Sequence, residues 1–252
     1  ADDYLDDGLM ADNTESDRGA AYTSLEHQWD EGFGYFGAAR DYADYTDEEL
    51  AAKGGRAEYS SGYHDTNGDG RIDLKSEMNF TAAVNAAKRD LCSIVATDFT
   101  GDAIVAFRRG RTVITQAAGE LGPGQMAELN AVRDQAVGMW ERSIATSAIH
   151  YINEVLMDMG RFGTSDYSFG DHAKHWGEMK GFMMAFQFNP NSPVTEQNFA
   201  RMHMVVGQAP VLVEGPEADA YRGALREARA IIGASFSFDM QNLGDDNGEN
   251  GW

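Results

Sequence analysis

The stretch that decides the fold is GQMAELNAVRDQAVGMWERSIATSAIHYINEVLMDMG, residues 124–160. Its large apolar side chains recur at the spacing of one face of an α-helix. The residues on this face are Leu129, Val132, Trp140, Ile144, Tyr151, Val155 and Met159. Gly160 follows the last of them, and glycine commonly ends a helix because it adopts the left-handed conformation easily. The pattern therefore predicts one long helix over about 124–159.

The segments on both sides of this helix have the same three-to-four spacing, and none has the alternation of a half-buried strand. We therefore predict further helices, over about 21–38, 74–98, 102–119, 172–188, 195–208 and 216–233. The sequence predicts an all-α protein, built either as two packed helical bundles or as one elongated bundle.

The charge balance of the chain is strongly acidic. Of its 252 residues, 41 are acidic and 20 are basic, so the formal net charge is -21. Nucleic-acid binding needs clustered Lys and Arg, so we exclude a nucleic-acid partner. Only five of the basic residues are lysines. An acidic surface with few lysines favours a salt-adapted protein, because carboxylates keep the surface hydrated when salt screens its charge.

Composition along the chain predicts three regions. Residues 1–20 form an acidic arm or linker, residues 21–237 the helical domain, and residues 238–252 a mobile acidic tail. The apolar runs are too short for a transmembrane helix. The sequence starts at Ala1 without a hydrophobic leader, so we expect any targeting segment to have been removed or to lie upstream, which is compatible with export. Cys92 excludes an intrachain disulfide and is predicted to be buried in an apolar helix.

The sharpest local motif is DTNGDGRID at residues 65–73. Oxygen-bearing side chains occupy loop positions 1, 3, 5 and 9, namely Asp65, Asn67, Asp69 and Asp73. Gly70 stands where the chain must turn sharply, and Arg71 would offer its backbone carbonyl at position 7. This spacing wraps a hard cation in oxygens, and we place this calcium-type loop between two helices of the bundle.

The last ligand of the loop departs from the usual pattern. A bidentate acid is expected at position 12, where this chain has Ser76, and Glu77 follows one residue later. We predict that Glu77 serves in a slightly longer loop, so that residues 65–77 bind Ca²⁺ as a structural ion. Calcium fits better than magnesium because many flexible oxygen ligands suit the larger ion. The alternative is a polar turn that only resembles the motif.

Three His–Glu pairs have helical spacing, so the two members of each pair share a helix face. They are His27 with Glu31, His150 with Glu154, and His175 with Glu178. We rank the last pair first as a metal site, because its histidine borders an apolar stripe. The first pair ranks second for its aromatic surroundings, and we interpret the middle pair as structural. Any single pair could instead be an ordinary surface ion pair.

Several of these segments together resemble the imelysin-like proteins, in the branch described as a domain of unknown function in bacterial envelope proteins. They are HQWDEGFGYFG at 27–37, the 65–77 loop, NFTAAVNAAKRD at 79–90 and KHWGEMKGFMMAFQFNP at 174–190. The resemblance covers most of residues 21–235. It implies two four-helix-bundle-like halves, export to the periplasm or cell surface, and a link to iron acquisition.

The same resemblance bears on the choice of site and activity. Imelysin itself was described as a peptidase, and the hallmark of the family is Gly-x-His-x-x-Glu. His175 and Glu178 match the His-x-x-Glu part, whereas Ala173 stands in place of the glycine. Two interpretations follow for a site formed by these two residues, with His27 or Glu31 approaching from the first helix. One is a site for iron or zinc, and the other is a hydrogen-bonded His–Glu cluster without metal.

No zincin, serine-hydrolase or P-loop motif occurs in the chain. Our leading hypothesis is accordingly a non-catalytic, metal-binding envelope protein, linked to iron acquisition and carrying a structural calcium ion. Two alternatives stay open. One is a metal-dependent peptidase, which needs a metal-bound water beside a general base. The other is an extracellular module that binds an envelope protein or a glycan through an exposed aromatic patch.

Overall fold

Every predicted helix has a counterpart in the structure, a computed structural model that describes residues 2–252. In chain order the helices are α1 (Asp2–Leu5), α2 (Ser24–Phe36), α3 (Asp47–Leu50), α4 (Thr81–Leu91), α5 (Phe99–Ala117), α6 (Pro123–Gly160), α7 (Phe169–Met184), α8 (Glu196–Val206) and α9 (Pro216–Phe236). Extended pairing within residues 2–252 is limited to isolated bridges. The prediction of an all-α fold is confirmed.

Helix α4 is shorter than the helix predicted over 74–98. Residues 76–80 bond to other segments: Arg40 N donates to Ser76 O over 2.9 Å, and Phe80 N donates to Gly37 O over 2.7 Å. Thr81 then has a positive φ of 43°, which separates this extended stretch from the helix. The prediction of a helix start at residue 74 was wrong because apolar residues of the preceding loop, such as Phe80, continue the three-to-four spacing of the apolar residues of α4.

The chain divides into two compact units. Unit 1 comprises the chain up to Leu91 together with Asp98–Trp140, and unit 2 comprises Cys92–Thr97 together with Glu141–Trp252. Helix α6 contributes its first part to unit 1 and its second part to unit 2.

The core of unit 1 forms around aromatic side chains. Trp29 is buried, and its ring nitrogen donates a hydrogen bond of 2.9 Å to the carbonyl of Phe107. Gly110 allows the indole to lie against α5, since a Cβ there would come within 2.0 Å of Trp29 Cζ2. Helix α2, which carries Trp29, begins with a reciprocal capping box between Thr23 and Glu26. The capping box therefore stabilises the start of α2, and burial of Trp29 stabilises the contact of its inner face with α5.

Residues 2–20, interpreted from sequence as an acidic arm or linker, pack into unit 1. Leu5 and Leu9 are buried in its core. The Asn13 amide donates to the carbonyls of Ile114 and Gly119, over 3.1 and 2.8 Å. The acidic residues of this segment therefore surround a few apolar anchors.

Residues 238–252, interpreted from sequence as a tail, pack into unit 2. Trp252 is 2% exposed. The Asn153 amide donates to the carbonyls of Leu243 and Trp252, over 2.9 and 2.7 Å, and its oxygen accepts from Arg229 over 2.6 Å. Buried polar groups are almost always hydrogen-bonded. Here the backbone carbonyls of the C-terminal segment provide hydrogen-bond partners for the buried Asn153 side chain of unit 2.

Cys92 is exposed, so the prediction of a buried residue is wrong. Helix α4 ends at Leu91, so Cys92 is not part of a helix face that could be buried.

Within residues 2–252 no helix is both long and apolar enough to cross a bilayer. Helix α6 has 38 residues but carries charges along its length, among them Glu128, Asp134 and Arg142.

Candidate functional site

The predicted calcium loop in unit 1 is wrapped around the carboxylate of its first residue. Asp65 Oδ1 accepts hydrogen bonds from the N–H groups of Gly68 and Asp69, over 2.7 and 3.2 Å, and its Oδ2 accepts from Gly70 over 2.7 Å. Gly70 has a φ of 79°, and a Cβ there would meet nothing within 4 Å. Glycine is thus required for backbone conformation, not for space.

The other predicted side-chain ligands turn into the loop in the same manner. Each accepts a hydrogen bond from the N–H two residues ahead: Asn67 from Asp69 over 2.9 Å, Asp69 from Arg71 over 2.9 Å, and Asp73 from Lys75 over 3.0 Å. A carboxylate has about four lone-pair positions, so these bonds leave acceptor capacity.

Glu77 joins the two ends of the loop and is only 2% exposed. Its Oε1 accepts from the Thr66 hydroxyl over 2.7 Å, and its Oε2 accepts from Asp73 N over 2.9 Å. These bonds, that from Asp73 first, lower the pKa of Glu77 below its usual range. The Lys75 N–H similarly lowers the pKa of Asp73. Both carboxylates are therefore ionised at neutral pH.

The donor chemistry of this loop fits a hard cation. Four carboxylates, one amide oxygen and the Arg71 carbonyl are the oxygen ligands that Ca²⁺ takes in proteins. In the part of the chain that the structure describes, no group of three or more His, Cys, Asp or Glu side chains is arranged to hold a metal ion. The loop therefore has suitable donors without a preassembled coordination shell.

The pair on α2 also belongs to unit 1. His27 Nδ1 lies 3.1 Å from Asp17 Oδ2, and its Nε2 lies 3.2 Å from Glu31 Oε1. Both ring nitrogens thus have a carboxylate partner, and the four-residue spacing brings His27 and Glu31 into contact as expected. Asp17 could not be found from helical spacing, because it precedes the helix.

A cleft of about 430 Å³ opens beside this pair. His27 and Glu31 line it from α2. Leu74 and Lys75 line it from the last part of the calcium-type loop, and Phe80 lines it from the segment just before α4. The cleft therefore joins two regions that the sequence singled out separately.

A second imidazole–carboxylate cluster lies in unit 2. His175 Nδ1 is 2.7 Å from Asp158 Oδ2 and 3.9 Å from Glu154 Oε2. The other oxygen of Glu154 is 3.8 Å from His150 Nε2. His150, Glu154 and Asp158 follow one another on α6 at intervals of four residues, so they share one face of the helix. His150 and Glu154, interpreted from sequence as structural, thus belong to the surroundings of His175.

Asp158 is the residue that sequence reasoning missed. It is buried, and Arg161 donates to its Oδ1 over 3.2 Å. The spacing His150-x₃-Glu154-x₃-Asp158 was the available signal. Glu178, in contrast, has its Oε2 3.9 Å from Lys174 Nζ on its own helix.

A further histidine lies close in sequence to this cluster. His172 is fully buried, and its Nδ1 is 3.2 Å from the Tyr167 hydroxyl. Burial lowers the pKa of His172, so its ring is neutral at physiological pH. Its Nε2 has no hydrogen-bond partner among residues 2–252.

The two candidate pairs lie in different units, with His27 in unit 1 and His175 in unit 2. The contacts described above for each imidazole lie within its own unit. A shared site built from both pairs stays a prediction.

A family model matches residues 2–206 of this chain. The chain belongs to the family described as Domain of unknown function (DUF4856). The DUF4856 match contains the 65–77 loop and both ranked His–Glu pairs, and it ends at the last residue of α8. No curated protein and no solved structure matches the chain.

Proposed function

We propose that this member of the DUF4856 family is a non-catalytic, cation-binding protein of the cell envelope, with a structural Ca²⁺ ion in the 65–77 loop. The observation that carries the proposal is the wrapping of this loop around its own oxygens. Asp65, Asp69, Asp73 and Glu77 place four carboxylates in thirteen residues. A divalent cation would neutralise part of this charge in a chain that already carries -21.

The ion would act on stability, because it binds the folded loop and not the unfolded chain. Stabilisation then follows mass action and reaches about 2.7 kcal/mol when the free ion exceeds its Kd by about a hundredfold. Its ligands would be the four carboxylates, the Asn67 amide oxygen and the Arg71 carbonyl. Extracellular calcium modules commonly work at high calcium concentrations, which agrees with the exported setting implied by the resemblance to imelysin-like proteins.

Thermal unfolding tests this site. We expect the wild-type melting temperature to rise with added Ca²⁺, to rise less with Mg²⁺, and to fall to a baseline in chelator. Asp65→Asn and Asp69→Asn should lose most of the calcium response. Asp12→Asn is the matched control, since Asp12 also accepts from the backbone two residues ahead, over 2.8 Å, but lies outside the loop. A wild-type transition identical in calcium and in chelator would reject the structural calcium site.

A second cation site is favoured by the His175 cluster of unit 2. Imidazole nitrogen and carboxylate oxygen from α6 and α7 are the mixed donors that iron and zinc accept. This cluster supports the link to iron acquisition that the imelysin-like resemblance implies. Peptidase activity and a glycan- or protein-binding role stay open predictions.

Titration with ferrous, ferric and zinc ions tests the second site. His175→Ala and Asp158→Asn should weaken binding of at least one of these ions, whereas His64→Ala, a histidine of unit 1, should leave it unchanged. Equal binding by wild type and both cluster variants would remove these residues from the function.

A further inference from the structure

The lining of the cleft of unit 1 includes Leu74 and Lys75 of the calcium-type loop but none of the ligands of the two cation sites proposed above. Its volume, about 430 Å³, lies in the range of small-molecule sites, roughly 300–1,000 Å³. Apolar groups dominate its lining. Tyr22 and Leu74, which line it, are 38% and 62% exposed, so large apolar surfaces face solvent there. Small-ligand sites share this character: a mostly apolar wall with a few polar groups that fix orientation.

Gly34 lines the cleft without a side chain. It lies inside α2 and lines the cleft, and a Cβ there would meet nothing within 4 Å. Its φ is not positive, so the backbone does not require glycine. Glycine in a helix interior is destabilising relative to alanine. Here the glycine leaves this part of the cleft wall without a side chain.

The charged groups of the lining have opposite signs. Asp30 is engaged by Arg111, whose Nε lies 3.0 Å from its Oδ1. Glu31, whose Oε1 lies 3.2 Å from His27 Nε2, brings a negative charge from α2. Lys75, an exposed residue within the calcium-type loop, brings a positive one. A ligand with one cationic and one anionic group would complement both residues, and an ammonium group together with a carboxylate is the simplest such combination.

We propose that this cleft binds a small zwitterion, an α-amino acid with an apolar side chain. Its carboxylate would pair with Lys75 and its ammonium group with Glu31. Its side chain would lie against Tyr22, Leu74 and Phe80, in the space that Gly34 leaves. Because Leu74 and Lys75 belong to the 65–77 loop, the proposal rests on the folded conformation of that loop, and it does not involve the His175 cluster.

Calorimetric titration with free L-phenylalanine and L-leucine tests the ligand class. We expect both to bind the wild-type chain. L-phenylalanine methyl ester lacks the carboxylate, and N-acetyl-L-phenylalanine lacks the ammonium group. Each should bind at least about tenfold more weakly than the free amino acid, which corresponds to the loss of one charged contact. All titrations contain Ca²⁺, so that the outcome is independent of whether the loop needs the ion.

Matched variants locate the site. Gly34→Leu should abolish binding, while Gly181→Leu, an exposed glycine of α7 that also has open space around its Cβ, should bind like wild type. Lys75→Gln should weaken phenylalanine about tenfold and leave the methyl ester unaffected. Lys53→Gln, at an exposed lysine of the same unit, should change neither. Melting curves confirm that each variant is folded.

Three results would overturn the proposal. The first is no heat from wild type with either amino acid at concentrations of about 1 mM and above. The second is equal affinity of wild type and Gly34→Leu for L-phenylalanine. The third is a methyl ester that binds as tightly as the free amino acid, since the carboxylate would then contribute nothing.

Discussion

At the residue scale, the surroundings of Asp47 disfavour the ionised form of its carboxyl group. Burial, together with the charges of Asp90 and Asp98, raises the pKa of Asp47 to about 6 against the opposing hydrogen bond from Thr100. The Thr100 hydroxyl donates to Asp47 Oδ1 over 3.0 Å. Because the unfolded aspartate loses its proton near pH 4, the folded chain binds more protons between about pH 4 and 6. Stability therefore decreases as pH rises through this window.

We predict that Asp47→Asn stabilises unit 1 at pH 8 by about 1–2 kcal/mol, a figure reduced for the partial exposure of the side chain. The gain should shrink toward zero near pH 4, where the folded wild type is protonated. Urea unfolding at the two pH values measures this. Glu48→Gln, at an exposed acid of the same helix, is the control. A gain that is the same at both pH values would show that ionisation of Asp47 is not its cause.

At the element scale, the Asn242 side chain makes the backbone hydrogen bonds that a further turn of α4 would otherwise make. Asn242 Oδ1 accepts from the N–H groups of Ile94 and Val95, over 2.7 and 2.8 Å, and its amide donates to the Val95 carbonyl over 2.8 Å. These backbone groups would bond along α4 if that helix continued past Leu91. Asn242 instead holds residues 92–97 within unit 2, which is why the predicted helix over 74–98 also ends early on this side.

We predict that Asn242→Ala destabilises unit 2 by about 1–3 kcal/mol, because three half-buried backbone groups lose their partner at once. Asn242→Asp keeps the acceptor and loses the donor, so its effect should lie between wild type and alanine. Hydrogen exchange at Ile94 and Val95 together with urea unfolding gives the measurement. The control is Asn247→Ala, which changes an exposed asparagine of the same unit and should have little effect.

At the scale of the whole molecule, the charge of -21 opposes compaction. Salt shortens the range of this repulsion, from about 30 Å at 0.01 M to about 10 Å at 0.1 M. We predict that added NaCl raises the free energy of unfolding and that KCl of equal ionic strength does so equally. The measurement is unfolding in urea, which is uncharged and adds no ionic strength. A chelator is present, so that a change in the free energy of unfolding reports charge screening and not calcium binding. A stability that is constant or falls with salt would contradict the salt-adapted interpretation.

The sequence by itself predicted helix α2 and helices α4 to α9, apart from the ends of α4, and it contained the two most regular motifs. The spacing in 124–160 predicts α6 because a helix face is a local property, fixed by residues three and four apart. The 65–77 loop is recognisable for the same reason, since its donors lie within one short segment. The contact between His27 and Glu31 follows from their spacing of four residues.

Only the tertiary structure decided what those local pieces meet. Asp158 became the partner of His175 because α6 and α7 pack together, and the cleft arose because residues 74–80 lie beside α2. Residues near both ends are buried for the same reason: Leu5 lies in the core of unit 1, and Trp252 bonds to Asn153 in unit 2. Such contacts join positions far apart in the chain, and a local pattern holds no information about a neighbour that only packing supplies.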